Sequence, residues 1–294
     1  MELPFDSDEV KRLIRLAVEE DLGTGDVTTD AVVPADVQAR ARVVARQAGV
    51  VAGLPLMLPV LGEFASSTSE ERSVRDGQEI SPGQTLAVIA APARALLSAE
   101  RTVLNFLQRL SGIATLTRKY VDAVAGTSAR IYDTRKTTPG WRLLEKYAVR
   151  VGGGENHRMG LYDQVLIKDN HLTLMEQRGV SLTDAIRRIR EGHPGMVVEV
   201  EAATERQLRA AVEAGADIIL LDNMTPKELA DAVQVVESVT SPERPVLEAS
   251  GGVNPANVRA IAESGVDRIS VGALTHSAPA LDIAIEFDTE GRAR

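Results

Sequence analysis

The side chains able to do chemistry are concentrated in a few short segments. Asp133-Thr-Arg-Lys136 and Lys168-Asp-Asn-His171 supply cations, and Glu199-Val-Glu201 and Asp222-Asn supply carboxylates. Between the first two, Gly152-Gly-Gly-Glu-Asn-His-Arg158 sets an imidazole beside a guanidinium. Arg135, Lys136 and Lys168, the His157–Arg158 pair and three carboxylates together suit a multiply anionic substrate and one that is metal-bridged or rich in hydroxyls. A lone strand-end Arg or Lys is more often solvated or ion-paired, so the clustering carries the reading. Glu199 and Glu201 lie two apart and face one side of a strand, where unpaired carboxylates are costly; which of them is functional stays open. Ser250-Gly-Gly252 and Val271-Gly-Ala273 expose backbone amides just before helices, an arrangement that binds phosphate.

Other chemistries are excluded. The 294 residues contain no cysteine, so disulfides, thiolate catalysis and Cys-ligated zinc are absent. The four histidines include no pair at metal-ligand helical spacing, and neither a Gly-x-Ser-x-Gly nor a Walker sequence occurs. A net charge of −9 argues against nucleic acid or a membrane surface as partner. No run approaches 18 apolar residues and the N-terminus is not signal-like, so a soluble cytoplasmic enzyme is expected.

The elements that must position these groups fall into two patterns. Residues 1–112 read as a small α+β domain. An amphipathic helix (Asp8–Asp21, apolar at Val10, Leu13, Ile14, Ala17 and Val18) precedes short β-like runs at 39–46, 49–52 and 85–89. A largely buried helix over 93–110 follows. Residues 113–275 alternate strand and helix, with strands at 130–133, 164–168, 197–201, 218–222, 246–250 and 268–272 and helices at 141–149, 182–190, 205–214, 226–239 and 254–263. Two segments repeat one logic: a helix ends at Gly215 or Gly265, an Asp follows, then a strand. Such βα units imply a parallel sheet covered by helices, and uniformly polar strand ends favour an α/β barrel over an open doubly wound sheet. The tail 276–294 is expected to pack back on the first domain.

Several linked motifs closely resemble quinolinate phosphoribosyltransferases, which are type II phosphoribosyltransferases. They are Glu100-Arg-Thr-Val-Leu-Asn-Phe-Leu-Gln-Arg-Leu-Ser-Gly-Ile-Ala-Thr115, Asp133-Thr-Arg-Lys-Thr-Thr-Pro-Gly140, Glu145-Lys-Tyr-Ala-Val149, Gly152–Arg158, Ile167-Lys-Asp-Asn-His171, Leu221-Asp-Asn223, Glu248-Ala-Ser-Gly-Gly252 and Val271-Gly-Ala-Leu-Thr-His-Ser277. The resemblance implies an N-terminal α/β sandwich, an incomplete TIM-like α/β barrel, and a homodimer, or a higher oligomer, with shared sites. It implies decarboxylating transfer from phosphoribosyl pyrophosphate to quinolinate, giving nicotinate mononucleotide for NAD synthesis, with Mg²⁺. Arg135, His157, Arg158 and Lys168 would grip the quinolinate carboxylates, with Arg101 reaching in from the neighbouring subunit. Lys136, beside Thr137, and Lys168 would neutralise phosphates. Glu201 (or Glu199) and Asp222 would hold ribose hydroxyls and Mg²⁺, and the amides at 250–252 and 271–273 the 5′-phosphate. Two rivals are a related phosphoribosyltransferase acting on another ring and a non-catalytic binding protein. Arg135, His157 and Arg158 together weigh against the first, and retention of both Glu201 and Asp222 against the second.

Overall fold

The computed structural model describes residues 4–238 and 244–288. Along the chain the first elements are α1 (Asp8–Leu22), α2 (Val27–Val32), β1 (Gln38–Ala45), β2 (Gly49–Val50), α3 (Met57–Gly62), β3 (Ser69–Arg72), β4 (Glu79–Ile80), β5 (Thr85–Pro92) and α4 (Ala93–Ala123). There follow β6 (Arg130–Tyr132), α5 (Arg142–Val151), β7 (Val165–Ile167), α6 (Asp169–Glu176), α7 (Leu182–Gly192), β8 (Val198–Ala202) and α8 (Glu205–Glu213). The last are β9 (Ile218–Asp222), α9 (Pro226–Ser238), β10 (Val246–Ser250), α10 (Val258–Glu263), β11 (Arg268–Ser270), α11 (Ala273–His276) and β12 (Ile283–Phe287). Val239, the expected end of α9, and the tail residues 289–294 lie outside the described residues. By contacts the chain divides into two units. One holds the described residues of 1–118, 137–153 and 275–294, and the other those of 119–136 and 154–274.

The first unit is built on an antiparallel sheet in the order β12-β1-β5-β3. The C-terminal strand β12 thus pairs with β1, from Ala41 opposite Phe287 to Ala45 opposite Ile283. The start of α1 is capped by Ser7, whose hydroxyl accepts the Val10 N–H, and Val10, Ile14 and Val18 are buried. The helix expected over 93–110 runs on to Ala123. Ser111 bonds both the N–H and the carbonyl of Ala52. Gly112 lets the Pro279–Ala280 backbone approach so closely that any Cβ there would collide with it. Residues that look like a helix end are therefore where other chain segments dock. Segment 137–153, read from sequence as part of the barrel, groups with this unit instead. Trp141 stacks on Phe106 at 4.8 Å, Tyr147 donates to Asp76 (2.8 Å), and fully buried Glu145 pairs with Arg109 at 2.7 Å.

The second unit is a six-stranded, all-parallel sheet in the order β6-β11-β10-β9-β8-β7, a partial TIM-like barrel. The β6–β7 connection sends α5 to the first unit, and β6 and β7 are the two edges of the sheet. The repeated Gly-x-Asp has a structural purpose. Gly215 and Gly265 adopt φ of +77° and +93°. Asp217 and Asp267 then accept the backbone N–H of Val198 and Leu247 on the neighbouring strand, each at 2.8 Å. Among the described residues no helix is long and apolar enough to cross a membrane.

Candidate active site

Register decides which side chains meet. Glu201 aligns with Leu220, Leu220 with Glu248, and Glu248 with Arg268; one layer further, Asp222 aligns with Ser250. Alternation places these residues on one face, while Val200, Ile219, Leu221, Leu247 and Ala249 are buried on the other. The first face and the strand-end loops form an open cleft of about 160 Å³. Its lining includes Arg135, Lys136, His157, Arg158, Lys168, Glu201, Asp222, Glu248, Ser250 and Ser270. Most of the residues singled out from sequence therefore converge in one unit.

The others are not among the lining residues. Gly251 and Gly252 follow Ser250 with φ of +92° and +60°. A Cβ on Gly251 would strike the Asn223 side chain and come within 3.0 Å of its backbone nitrogen. Val271 is buried, and Gly272 and Ala273 are half-buried at the end of β11. Arg101 is exposed on α4 in the first unit. Thr137 belongs to that unit too, its hydroxyl accepting from Arg142 Nε at 3.0 Å.

Glu199 and Glu201 part company. Glu201 lines the cleft, whereas Glu199 is fully buried and its Oε2 accepts Gln164 Nε2 at 2.6 Å and His157 Nε2 at 3.0 Å. His157 was read as a carboxylate-gripping cation, but its Nε2 faces Glu199 and, at 3.4 Å, Glu248. Its Nδ1 accepts the Arg158 N–H at 2.8 Å. The ring nitrogens are thus engaged within the protein. His171 is likewise structural: its Nδ1 accepts the Lys168 N–H at 2.9 Å and caps α6.

Electrostatics follow from burial and neighbours. Burial alone would lower the His157 imidazole, but the hydrogen bond to Glu199 and the nearby carboxylate of Glu248 outweigh it and push the group up to about 9. Burial holds Glu199 above the ordinary carboxylate range despite His157. Burial, then the charge of Asp222, raises Glu201, with Lys168 opposing. Burial, then the like charge of Arg135, lowers Arg158. Arg135 Nε and both Glu248 oxygens have no hydrogen-bond partner among the described residues.

Sequence reasoning gave no role to several residues that build this floor. Asp133, fully buried, accepts the His157 N–H (2.9 Å) and Asn156 Nδ2 (2.6 Å). Asn223 takes φ +56°, which Asn tolerates, and donates to Asp222 at 2.7 Å. Glu248 lies two residues before Ser250, and that spacing was the available signal that both face the cleft. Nothing in the sequence marks Gln164.

Comparison with known proteins agrees with this geometry. The chain matches the quinolinate phosphoribosyl transferase N-terminal domain over residues 26–111 and the C-terminal domain of the same family over 113–286. It is 45% identical to the nicotinate-nucleotide pyrophosphorylase [carboxylating] of Mycobacterium leprae, covering 95% of this chain and 98% of the relative. Identity to the probable enzyme of that name in Bacillus subtilis is 42%, covering 95% and 93%. The solved nicotinate-nucleotide pyrophosphorylase of Francisella tularensis superimposes with a TM-score of 0.87 at 35% identity over 96% of each chain. With both domains matched and relatives aligned almost end to end, the chain belongs to the quinolinate phosphoribosyltransferase family.

Proposed function

We propose that the chain is a soluble, cytoplasmic enzyme that transfers the phosphoribosyl group of phosphoribosyl pyrophosphate to quinolinate, with loss of CO₂, to give nicotinate mononucleotide for NAD synthesis. The observation that carries this reading is the convergence of Arg135, Lys136, Arg158 and Lys168 in one cleft with Glu201 and Asp222. A pyridine dicarboxylate is matched by guanidinium groups, which hold carboxylates in bidentate fashion, and pyrophosphate by the lysines. Glu201 and Asp222 accept the ribose hydroxyls. The glycine-rich segments at 250–252 and 271–273 offer amides to the 5′-phosphate.

Departure of pyrophosphate leaves positive charge on the anomeric carbon and ring oxygen. The pyridine nitrogen attacks while Arg135 and Arg158 hold the ring by its carboxylates and Glu201 and Asp222 face the cationic sugar. Lys136 and Lys168 stabilise the leaving anion. Once the nitrogen carries ribose the ring is a pyridinium, so it stabilises the electron pair left on ring carbon 2 when the 2-carboxylate leaves as CO₂, and a proton from solvent then forms the C–H bond there. Glu201 and Asp222 also bring two carboxylates into the cleft, a hard-oxygen donor set of the kind that fits Mg²⁺. Bound there, partly through substrate and water, Mg²⁺ would supply charge to the pyrophosphate. Arg101 is assigned to the cleft of a second copy in a homodimer.

The test is to supply the protein with quinolinate, phosphoribosyl pyrophosphate and Mg²⁺ and measure nicotinate mononucleotide, CO₂ and pyrophosphate. Nicotinate lacks the 2-carboxylate and should substitute poorly; equal turnover with nicotinate would overturn the assignment.

A further inference from the structure

Four residues at the cleft floor form a closed circuit. Glu199 Oε2 accepts from His157 Nε2 (3.0 Å) and from Gln164 Nε2 (2.6 Å). His157 Nδ1 accepts the Arg158 backbone N–H (2.8 Å), and the Arg158 guanidinium donates to the backbone carbonyl of Gln164 (3.1 Å), whose side chain is the one held by Glu199. Arg158 is thus tied at its backbone through His157 and at its guanidinium through Gln164, and both ties end on one carboxylate oxygen. Glu248, also fully buried, approaches His157 Nε2 from β10 at 3.4 Å. Asp133 secures the His157 N–H.

We infer that Glu199 is a positioning residue for substrate binding, fixing Arg158 through His157 and Gln164 rather than touching ribose or metal, with Glu248 as a second anchor of the His157 ring. Several physical arguments support this. Arg158 is crowded by the like charge of Arg135, so without restraint it would swing away from the place where a dicarboxylate needs both guanidiniums. Glu199 has no exposure to solvent, so direct contact with a bulky, hydroxylated substrate is closed to it. The trio His157, Glu199 and Glu248 places its candidate ligand atoms within 4.8 Å of one another, which raises the question of a metal. The His157–Glu199 hydrogen bond already occupies the shared direction, and Arg135 and Arg158 supply the neighbouring positive charge. A hydrogen-bonded anchor accounts for the geometry.

The inference rests on reading the cleft as the quinolinate site, and a double-mutant cycle separates the two. Quinolinate and phosphoribosyl pyrophosphate dissociation constants are measured by calorimetry for the unaltered full chain, Glu199→Gln, Arg158→Ala and the double variant. Glu199→Gln should weaken quinolinate binding about tenfold or more and change phosphoribosyl pyrophosphate binding less than about threefold. In the Arg158→Ala background it should add less than about twofold, because its effect travels through Arg158. Fully additive losses, or equal losses for both substrates, would overturn the inference. Should Glu199→Gln fail to fold, Gln164→Ala, which removes the amide donor to Glu199 at a half-buried position while leaving the backbone carbonyl on Arg158, decides the matter in the same cycle. An unaltered protein that binds no quinolinate would instead refute the reading of the cleft.

Discussion

Glu145 presents the sharpest stability prediction. It lies in one of the motifs that mark the family, yet its carboxylate is fully buried in the first unit. It accepts from Arg109 at 2.7 Å, from the Thr138 N–H at 3.1 Å and from the Thr138 hydroxyl at 2.8 Å. Glu145→Ala removes both acceptor oxygens and with them these three hydrogen bonds. An orphaned buried N–H costs about 1–3 kcal/mol. Stripping a buried ion pair of one partner costs about 3–5 kcal/mol, and here the lower end applies because Arg109 keeps the carbonyls of Ala278 and Thr275 and is partly exposed. These contributions overlap, giving about 4 kcal/mol, a large share of the roughly 5–15 kcal/mol that stabilises a typical protein. With a urea slope of about 3 kcal/mol per molar, the unfolding midpoint should fall by about 1 M. The paired replacement Arg109→Met with Glu145→Leu should recover part of the loss, since no unpaired charge is then left behind, although Thr138 and the carbonyls of Ala278 and Thr275 lose their Glu145 and Arg109 partners. A midpoint shift for Glu145→Ala below about 0.3 M would refute the claim that this carboxylate clamps Arg109 and Thr138 together.

The other predictions concern the site. Gly251→Ala adds a Cβ that collides with Asn223 at a φ of +92°, so it should raise the KM for phosphoribosyl pyrophosphate far more than that for quinolinate; unchanged steady-state constants would refute the close approach. His157 has a folded-state pKa of about 9 against an ordinary 6.5, so its contribution to stability is full below pH 6.5 and is lost as pH rises to 9. The loss should reach at most about 3 kcal/mol, because the Arg158 N–H aimed at Nδ1 opposes the second proton, and denaturant titrations between pH 6 and 9.5 should show His157→Gln with a flatter profile than the unaltered protein. Inactive Arg101→Ala and inactive Asp222→Asn chains, mixed under conditions of subunit exchange, should recover roughly a quarter of full activity, because half the dimers are mixed and half their sites intact; exchange without recovery would confine Arg101 to its own chain.

The fold was legible where one physical rule dominated. Buried parallel strands need continuous apolar runs, and Ile218–Leu221 and Val246–Leu247 supply them, so β9 and β10 could be read within a residue of their ends. Gly215 and Gly265 announced helix ends through a backbone conformation that side chains avoid. Legibility failed where a local signal was overruled at long range. Ser111-Gly112 resembles a helix stop, yet α4 continues through it because Ala52 and the Pro279 backbone dock there. Segment 137–153 sits between two barrel strands in sequence. Its allegiance to the first unit is decided by Phe106, Asp76 and Arg109, with separations of 36 and 71 positions in the pairs Arg109–Glu145 and Asp76–Tyr147.

The same distinction explains the site. The groups proposed to meet an anionic substrate sit at strand ends or in the loop beside them, where charge is conspicuous in sequence, so Arg135, Lys136, Arg158, Lys168, Glu201 and Asp222 stand out before any geometry. Groups that hold those side chains in place lie a layer deeper, where nothing but register reveals them. Glu199 and Glu201 share a strand, a face and a charge; one layer of the sheet, about two residues of rise, separates an internal anchor from a residue facing the cleft. Sequence alone therefore left that pair ambiguous, and only the neighbouring positions of Gln164 and His157 divide their roles. A buried carboxylate beneath a cluster of cations is a costly arrangement unless its partners are fixed. Here one oxygen of Glu199 is bonded to two donors and the other to none, while neither Glu248 oxygen is hydrogen-bonded among the described residues, so the floor is held more firmly on the β8 side and keeps more unmet hydrogen-bonding capacity on the β10 side. That asymmetry puts the firmly held guanidinium, Arg158, on the β8 side of the cleft.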